Sequence, residues 1–231
     1  MKYVFKKNPI VISLGGSIIY PKELDISYLK KLNTFFRNQT KRGQKFIIVV
    51  GGGKLARDYQ TSAIAVKKIS NFANDWLGIE ATKLNAKLLQ TIFADIASPT
   101  IITKRGELKQ LNYPITFCSG WQPGASTDRV AAWLAMDFNA KEIINASNIS
   151  QVYDRDPKTH KNAKALTTLT WDQYLKIIPH KWTPGANTPF DIEASKLAKE
   201  HELTTIFLNG KNLANLKNLL QGKTFTGTII N

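Results

Sequence analysis

Phe46-Ile47-Ile48-Val49-Val50-Gly51-Gly52-Gly53-Lys54-Leu55-Ala56-Arg57 decides how this chain is read. An apolar run rich in β-branched residues makes a buried strand, three glycines follow at once, and a helical pattern begins at Lys54. A turn without side chains lets backbone N–H groups approach an anion, and the positive end of the helix adds to the attraction. Arg57 falls about one turn into that helix, where a guanidinium can fork onto phosphate oxygens. Two more strands end the same way. Residues 9–14 run into Gly15-Gly16-Ser17, and residues 115–118 run into a loop that holds Gly120 and Gly124. Ligands of open parallel sheets gather at the carboxyl ends of strands, so the three turns predict one anion-binding rim.

The remaining chain alternates in the same sense. Helical spacing covers 25–39, with Asp25 or Ser27 as N-cap, then 54–69, 79–96, 129–138, 171–178, 191–201 and 213–220. A break is expected at 70–74 and a Pro/Gly loop at 183–189. Further strands are expected at 100–103, 142–146, 204–208 and 227–230. Strand-helix alternation predicts an α/β chain, a three-layer α/β/α sandwich around a central, mainly parallel sheet. Residues 1–231 are read as a single domain, with a soft boundary near Asn139 that divides 1–138 from 139–231.

Composition sets outer limits. Of 231 residues, 43% are hydrophobic and 21% charged, an ordinary globular balance. No apolar run is long enough to span a bilayer. The stretch after Lys6-Lys7 is broken by Ser13, Gly15, Gly16 and Ser17, so it reads as a first strand and not as a secretory leader. The lone Cys118 permits no internal disulfide and fits a reducing compartment, so a cytoplasmic location is expected. His160, His180 and His201 are scattered and form no metal-ligand spacing, and no protein-held metal is expected. The net charge of +15 suits anionic partners, nucleotides included. No basic stripe interleaved with aromatics accompanies it, so nucleic acid is not the expected partner.

Gly51-Gly52-Gly53-Lys54-Leu55-Ala56 also fits the G-x-G-x-x-A dinucleotide pattern, with Asp75 at a tempting distance. In that motif the acidic residue closes the next strand, whereas Asp75 lies between two helical segments. The P-loop pattern G-x-x-x-x-G-K-[ST] is absent.

The ordered set of motifs resembles the amino acid kinase family. Val11-Ile12-Ser13-Leu14-Gly15-Gly16-Ser17, the Gly51–Arg57 turn and Asp75-Trp76-Leu77-Gly78-Ile79 carry the resemblance, together with residues 121–128 and 148–157. Thr82-Lys83-Leu84-Asn85-Ala86, and Ala186-Asn187-Thr188-Pro189-Phe190-Asp191 followed by Lys196, are similar to its archaeal uridylate kinase branch. The resemblance implies phosphoryl transfer from ATP to UMP with Mg²⁺, in a homohexamer, on an amino acid kinase-like fold. It implies that Gly15, Gly16 and Ser17 cradle the transferring phosphoryl group. Gly52, Gly53 and Arg57 would hold phosphates where donor and acceptor meet. Asp75 would accept from the UMP ribose, and Trp121, Gln122, Pro123, Gly124, Ala125, Ser126 and Thr127 would enclose the uracil and acceptor phosphate. Ser147, Asn148, Tyr153 and Asp156 would hold ATP. On this basis residues 1–138 form an acceptor lobe and 139–231 an ATP lobe.

Two positions depart from the pattern. Many relatives carry a phosphate-contacting lysine where Ser13 stands, which leaves Lys54 and Lys196 as candidate cationic stabilisers. Ser150-Gln151 stands where relatives usually have Asp-Gly. Two other readings stay open: a kinase for another small phosphate such as isopentenyl phosphate, and a non-catalytic nucleotide-binding or storage protein of the same fold.

Overall fold

The structure is a computed structural model that describes residues 1–6, 9–157, 159–179 and 188–231. Lys158, His180, residues 183–187 of the Pro/Gly loop and the Ala186-Asn187 part of the quoted motif lie outside the described residues.

Three strands start the architecture: β1 (Ile10–Leu14), β2 (Phe46–Val50) and β3 (Ile115–Cys118). All three are buried from end to end, as expected of strands covered on both faces. They are joined in one seven-stranded sheet by β4 (Glu142–Ser147), β7 (Thr168–Leu169), β8 (Thr204–Asn209) and β9 (Thr228–Ile230), in the order β3-β2-β1-β4-β8-β9-β7. Pairing is parallel throughout except between β8 and β9. β5 (Val152–Tyr153) and β6 (Ala165–Leu166) form a separate antiparallel pair.

Alternation along the strands sorts the core into two layers. Ile10, Ile12, Leu14, Ile48 and Val50 pack on one face with α1 (Gly16–Ile19), α2 (Ile26–Thr40), α4 (Asn71–Ile92) and α8 (Leu213–Leu220). Val11, Ile47 and Val49 pack on the other with α5 (Thr127–Asp137), α6 (Trp171–Ile177) and α7 (Ile192–Glu200). α3 (Gly53–Val66) runs along α4 at the edge and buries little of itself. The helix starts follow capping chemistry: Asp25 accepts from Tyr28 N–H, Ser126 from Arg129 N–H, Asp191 from Glu193 and Ala194 N–H, and Thr170 with Gln173 forms a capping box.

Two expectations change. The break at 70–74 is not a break: Ser70 caps α4 by accepting from Ala73 N–H, so Asp75 rides in the second turn of a 22-residue helix. Residues 100–103 make no strand, only an isolated bridge from Ile102 to Cys118.

Candidate active site

Parallel pairing brings the ends of β1 and β2 into register, with Leu14 opposite Val50. The glycine turns that follow therefore meet. A Cβ on Gly16 would sit 2.2 Å from Gly53 N and 2.4 Å from Gly51 O, and one on Gly53 would sit 2.4 Å from the Gly16 carbonyl carbon. Only bare backbone fits that contact. Gly53 also has φ +64, the left-handed region that glycine enters at no steric cost. Gly15, at the end of β1, lies against Ser147 at the end of β4, and Gly210 N donates to Ser147 O at 2.8 Å.

Beside the joined turns opens a cleft of about 300 Å³. Of the expected residues, Gly52, Gly53, Arg57, Asp75, Gln122, Ala125, Ser126 and Thr127 line it. Arg57 is the one cationic side chain among the described residues of its lining. Asp75 Oδ2 accepts from Gly124 N–H at 2.9 Å, which ties α4 to the loop before α5.

Other expected residues stand elsewhere. Trp121 is a core residue and not a wall of the cleft: its indole stacks on Trp133 at 5.6 Å, and its N–H donates to Ile102 O and Cys118 Sγ. Burial pushes the Cys118 thiol well up, as expected of an inert core thiol. Lys54 pairs with Asp58 at 2.6 Å and Lys196 with Glu193 at 2.9 Å, both on exposed helix faces, so neither lines the cleft. Pro123 and Gly124 belong to the loop without lining the cavity. Gly15, Gly16 and Ser17 form the adjoining rim, where α1 begins. Ser147, Asn148, Tyr153 and Asp156 lie along the continuation from β4 through β5, and none of them lines the cleft.

Beneath the cleft lies a polar cluster of Ser13, Asp128, Asn145 and Asp191. Ser13 Oγ donates to Asp128 Oδ1 at 2.8 Å, and Asn145 Nδ2 donates to the same oxygen at 3.1 Å. Asp191, which caps α7, accepts from Ser126 Oγ. Asp128 is half-buried as a residue, with its carboxyl enclosed by these partners. Burial first, and the Asp191 carboxylate second, push the Asp128 carboxyl up to about 7. Gln60 and Thr82 also line the cleft. The spacing of Thr82 and Asn85, two polar residues one turn apart on the buried face of α4, was the available signal for that wall.

This arrangement can place two phosphate-bearing ligands at adjoining bare-backbone turns, with the Arg57 guanidinium beside them. No helix among the described residues is long and apolar enough to cross a membrane, and no cluster of three metal-ligating side chains occurs among them. Comparison with known proteins agrees with the geometry. Uridylate kinase of Thermococcus kodakarensis is 32% identical over 225 residues, covering 96% of this chain and 98% of that protein. Uridylate kinase of Methanococcus aeolicus is 35% identical over 230 residues, covering 96% and 99%. The crystal structure of uridylate kinase from Archaeoglobus fulgidus superposes with a TM-score of 0.83 at 30% identity, covering 97% of this chain and all of that one. The model of the amino acid kinase family matches residues 8–209, and with these relatives spanning nearly its full length the chain belongs to the amino acid kinase family.

Proposed function

We propose that this protein is a UMP kinase, transferring the γ-phosphoryl group of ATP to UMP to give UDP and ADP. The observation that carries the reading is the contact of Gly16 with Gly51 and Gly53, beside a cleft that holds both Arg57 and Asp75. Phosphoryl transfer asks for in-line placement and neutralised charge more than for covalent chemistry. N–H groups of the two glycine turns, those of Gly16 and Ser17 in one and of Gly52 and Gly53 in the other, supply preorganised donors at the point of transfer. Arg57 supplies the cation in the cleft. The Asp75 carboxylate already accepts one N–H from Gly124 and has lone pairs to spare for a ribose hydroxyl. Gln122, Ala125, Ser126 and Thr127 form the wall for uracil and acceptor phosphate. ATP lies against Ser147, Asn148, Tyr153 and Asp156, so residues 1–138 serve the acceptor and 139–231 the donor.

The donor chemistry of the cleft fits Mg²⁺ carried in on the nucleotide phosphates, since among the described residues no set of three ligating side chains stands ready to hold a free ion. When bound, the ion neutralises phosphate charge. Assembly as a homohexamer and a cytoplasmic location are part of the same proposal, supported by the likeness to uridylate kinases.

The test is a panel of nucleoside monophosphates and isopentenyl phosphate, assayed for ADP release with ATP and Mg²⁺, beside Arg57→Ala. UMP is expected to lead the panel, and the variant to lose on the order of 10²–10³ in kcat/KM. Equal turnover of a non-nucleotide, or tight binding of UMP and ATP without ADP release, overturns the proposal.

A further inference from the structure

Helix α4 touches every turn on the acceptor side of the cleft. Asp75 holds Gly124 N–H. Thr82 Oγ1 accepts from Gly120 N–H at 2.8 Å and donates to Ile79 O at 2.6 Å. One turn on, Asn85 is 2% exposed, and its Nδ2 donates to Gly51 O at 2.9 Å and to Gly52 O at 3.1 Å.

The two carbonyls matter because of what lies behind them. In a planar trans peptide, the C=O of one residue and the N–H of the next point in opposite directions. Holding Gly51 O fixes the direction of Gly52 N–H, and holding Gly52 O fixes that of Gly53 N–H. These are the first donors of α3, which have no intrahelical acceptor. A run of three glycines has little stiffness of its own; a long bond from Ala56 N–H, 3.3 Å, also reaches Gly52 O, and the Asn85 amide holds both carbonyls at once. Both residues line the cleft.

We propose that Asn85 is a positioning residue that aims the Gly52 and Gly53 N–H groups at the acceptor phosphate. The inference rests on the UMP kinase reading for the identity of that phosphate. Asn85 itself touches no ligand. Its side chain acts through two peptide planes, and its amide spends both protons on the task.

The test compares the full chain with Asn85→Ala and the near-isosteric Asn85→Asp. Dissociation constants are measured for UMP, uridine and inorganic phosphate, alongside KM for UMP and ATP and the thermal midpoint. The variants are expected to weaken UMP and phosphate about tenfold or more, the loss of an aimed donor pair. Uridine affinity and KM for ATP are expected to stay within about twofold, a split that general loosening of α4 does not produce. Equal weakening of UMP and uridine overturns the proposal, as does unchanged phosphate affinity in a folded Asn85→Asp chain. Proton exchange of the Asn85 side-chain amide in the unaltered protein gives a readout that needs no variant: slow exchange is expected, and exchange at the solvent rate overturns the clamp. A wild-type chain that binds phosphate but not UMP removes the kinase reading and leaves the clamp to be judged on phosphate, whereas binding of neither overturns both.

Discussion

Asp128→Asn is the sharpest probe of the cleft floor. The carboxyl of Asp128 is pushed from an ordinary value near 3.8 up to about 7, by burial and then by Asp191. A group whose folded value lies above its unfolded value binds protons more tightly in the native state, so stability is lost as pH rises between the two values. At about 1.4 kcal/mol per tenfold change in proton affinity, the full displacement corresponds to about 4 kcal/mol. Asp128 lines the cleft and is only half-buried as a residue, so the full displacement is a ceiling and the expected effect is about 1–2 kcal/mol. The asparagine keeps an oxygen to accept from Ser13 Oγ and Asn145 Nδ2, and it removes the titration. Urea unfolding of both proteins from pH 4 to pH 8.5 provides the measurement. The stability of the native protein minus that of the variant should fall by about 1–2 kcal/mol across that range, with most of the change between pH 4 and 7. Subtraction cancels the carboxylates that titrate alike in both proteins, such as Asp25 and Asp95, whose values are lowered by hydrogen bonds from Tyr28 N–H and Arg37. A difference that stays flat, or that grows with pH, refutes the reasoning, because it would mean the carboxyl is solvated or paired in the folded chain.

Gly16→Ala places a methyl 2.2 Å from Gly53 N and 2.4 Å from Gly51 O, both backbone atoms, and is expected to cost about 3 kcal/mol or more in unfolding free energy with loss of ADP release; a thermal midpoint within a degree of wild type contradicts it. Ser126→Ala removes the N-cap of α5 and the hydroxyl that faces Asp191, and should cost about 1–2 kcal/mol by chemical denaturation. Lys196→Ala removes only an exposed pair with Glu193 and should leave kcat/KM for UMP within about twofold, whereas a large fall would restore Lys196 to the phosphoryl site.

How much was legible depends on whether the deciding contacts are local. Phe46–Val50 and Ile115–Cys118 were read to the residue, because an apolar β-branched run bounded by glycines has no competing pattern. The start of α4 was misplaced because Asn71, Asn74 and Asp75 favour turns, yet the Ser70 cap and the packing against α3 outweigh that preference. The exposed pairs of Lys54 with Asp58 and Lys196 with Glu193 were written in the chain at spacings of four and three, and in the structure neither lysine lines the cleft. Trp121 was not decidable locally. A tryptophan beside a glycine loop can face a cleft or a core, and here Trp133, on the following helix, claims its ring.

The floor of the cleft shows the other limit. Ser13, Asp128, Asn145 and Asp191 come from four elements, and the bond between Ser13 and Asp128 spans 115 residues. The resemblance implied a lysine where Ser13 stands, but the consequence depends on what lies opposite. A lysine at that point would set an ammonium beside the Asp128 carboxylate and favour its ionised form. The serine hydroxyl offers one neutral hydrogen bond, which only partly offsets burial and the neighbouring Asp191. The cationic load in the described lining of the cleft then falls on Arg57. One substitution on β1 thus links two properties that look separate, the raised Asp128 carboxyl and the reliance on a single guanidinium, and the pH dependence of Asp128→Asn measures the first while Arg57→Ala measures the second.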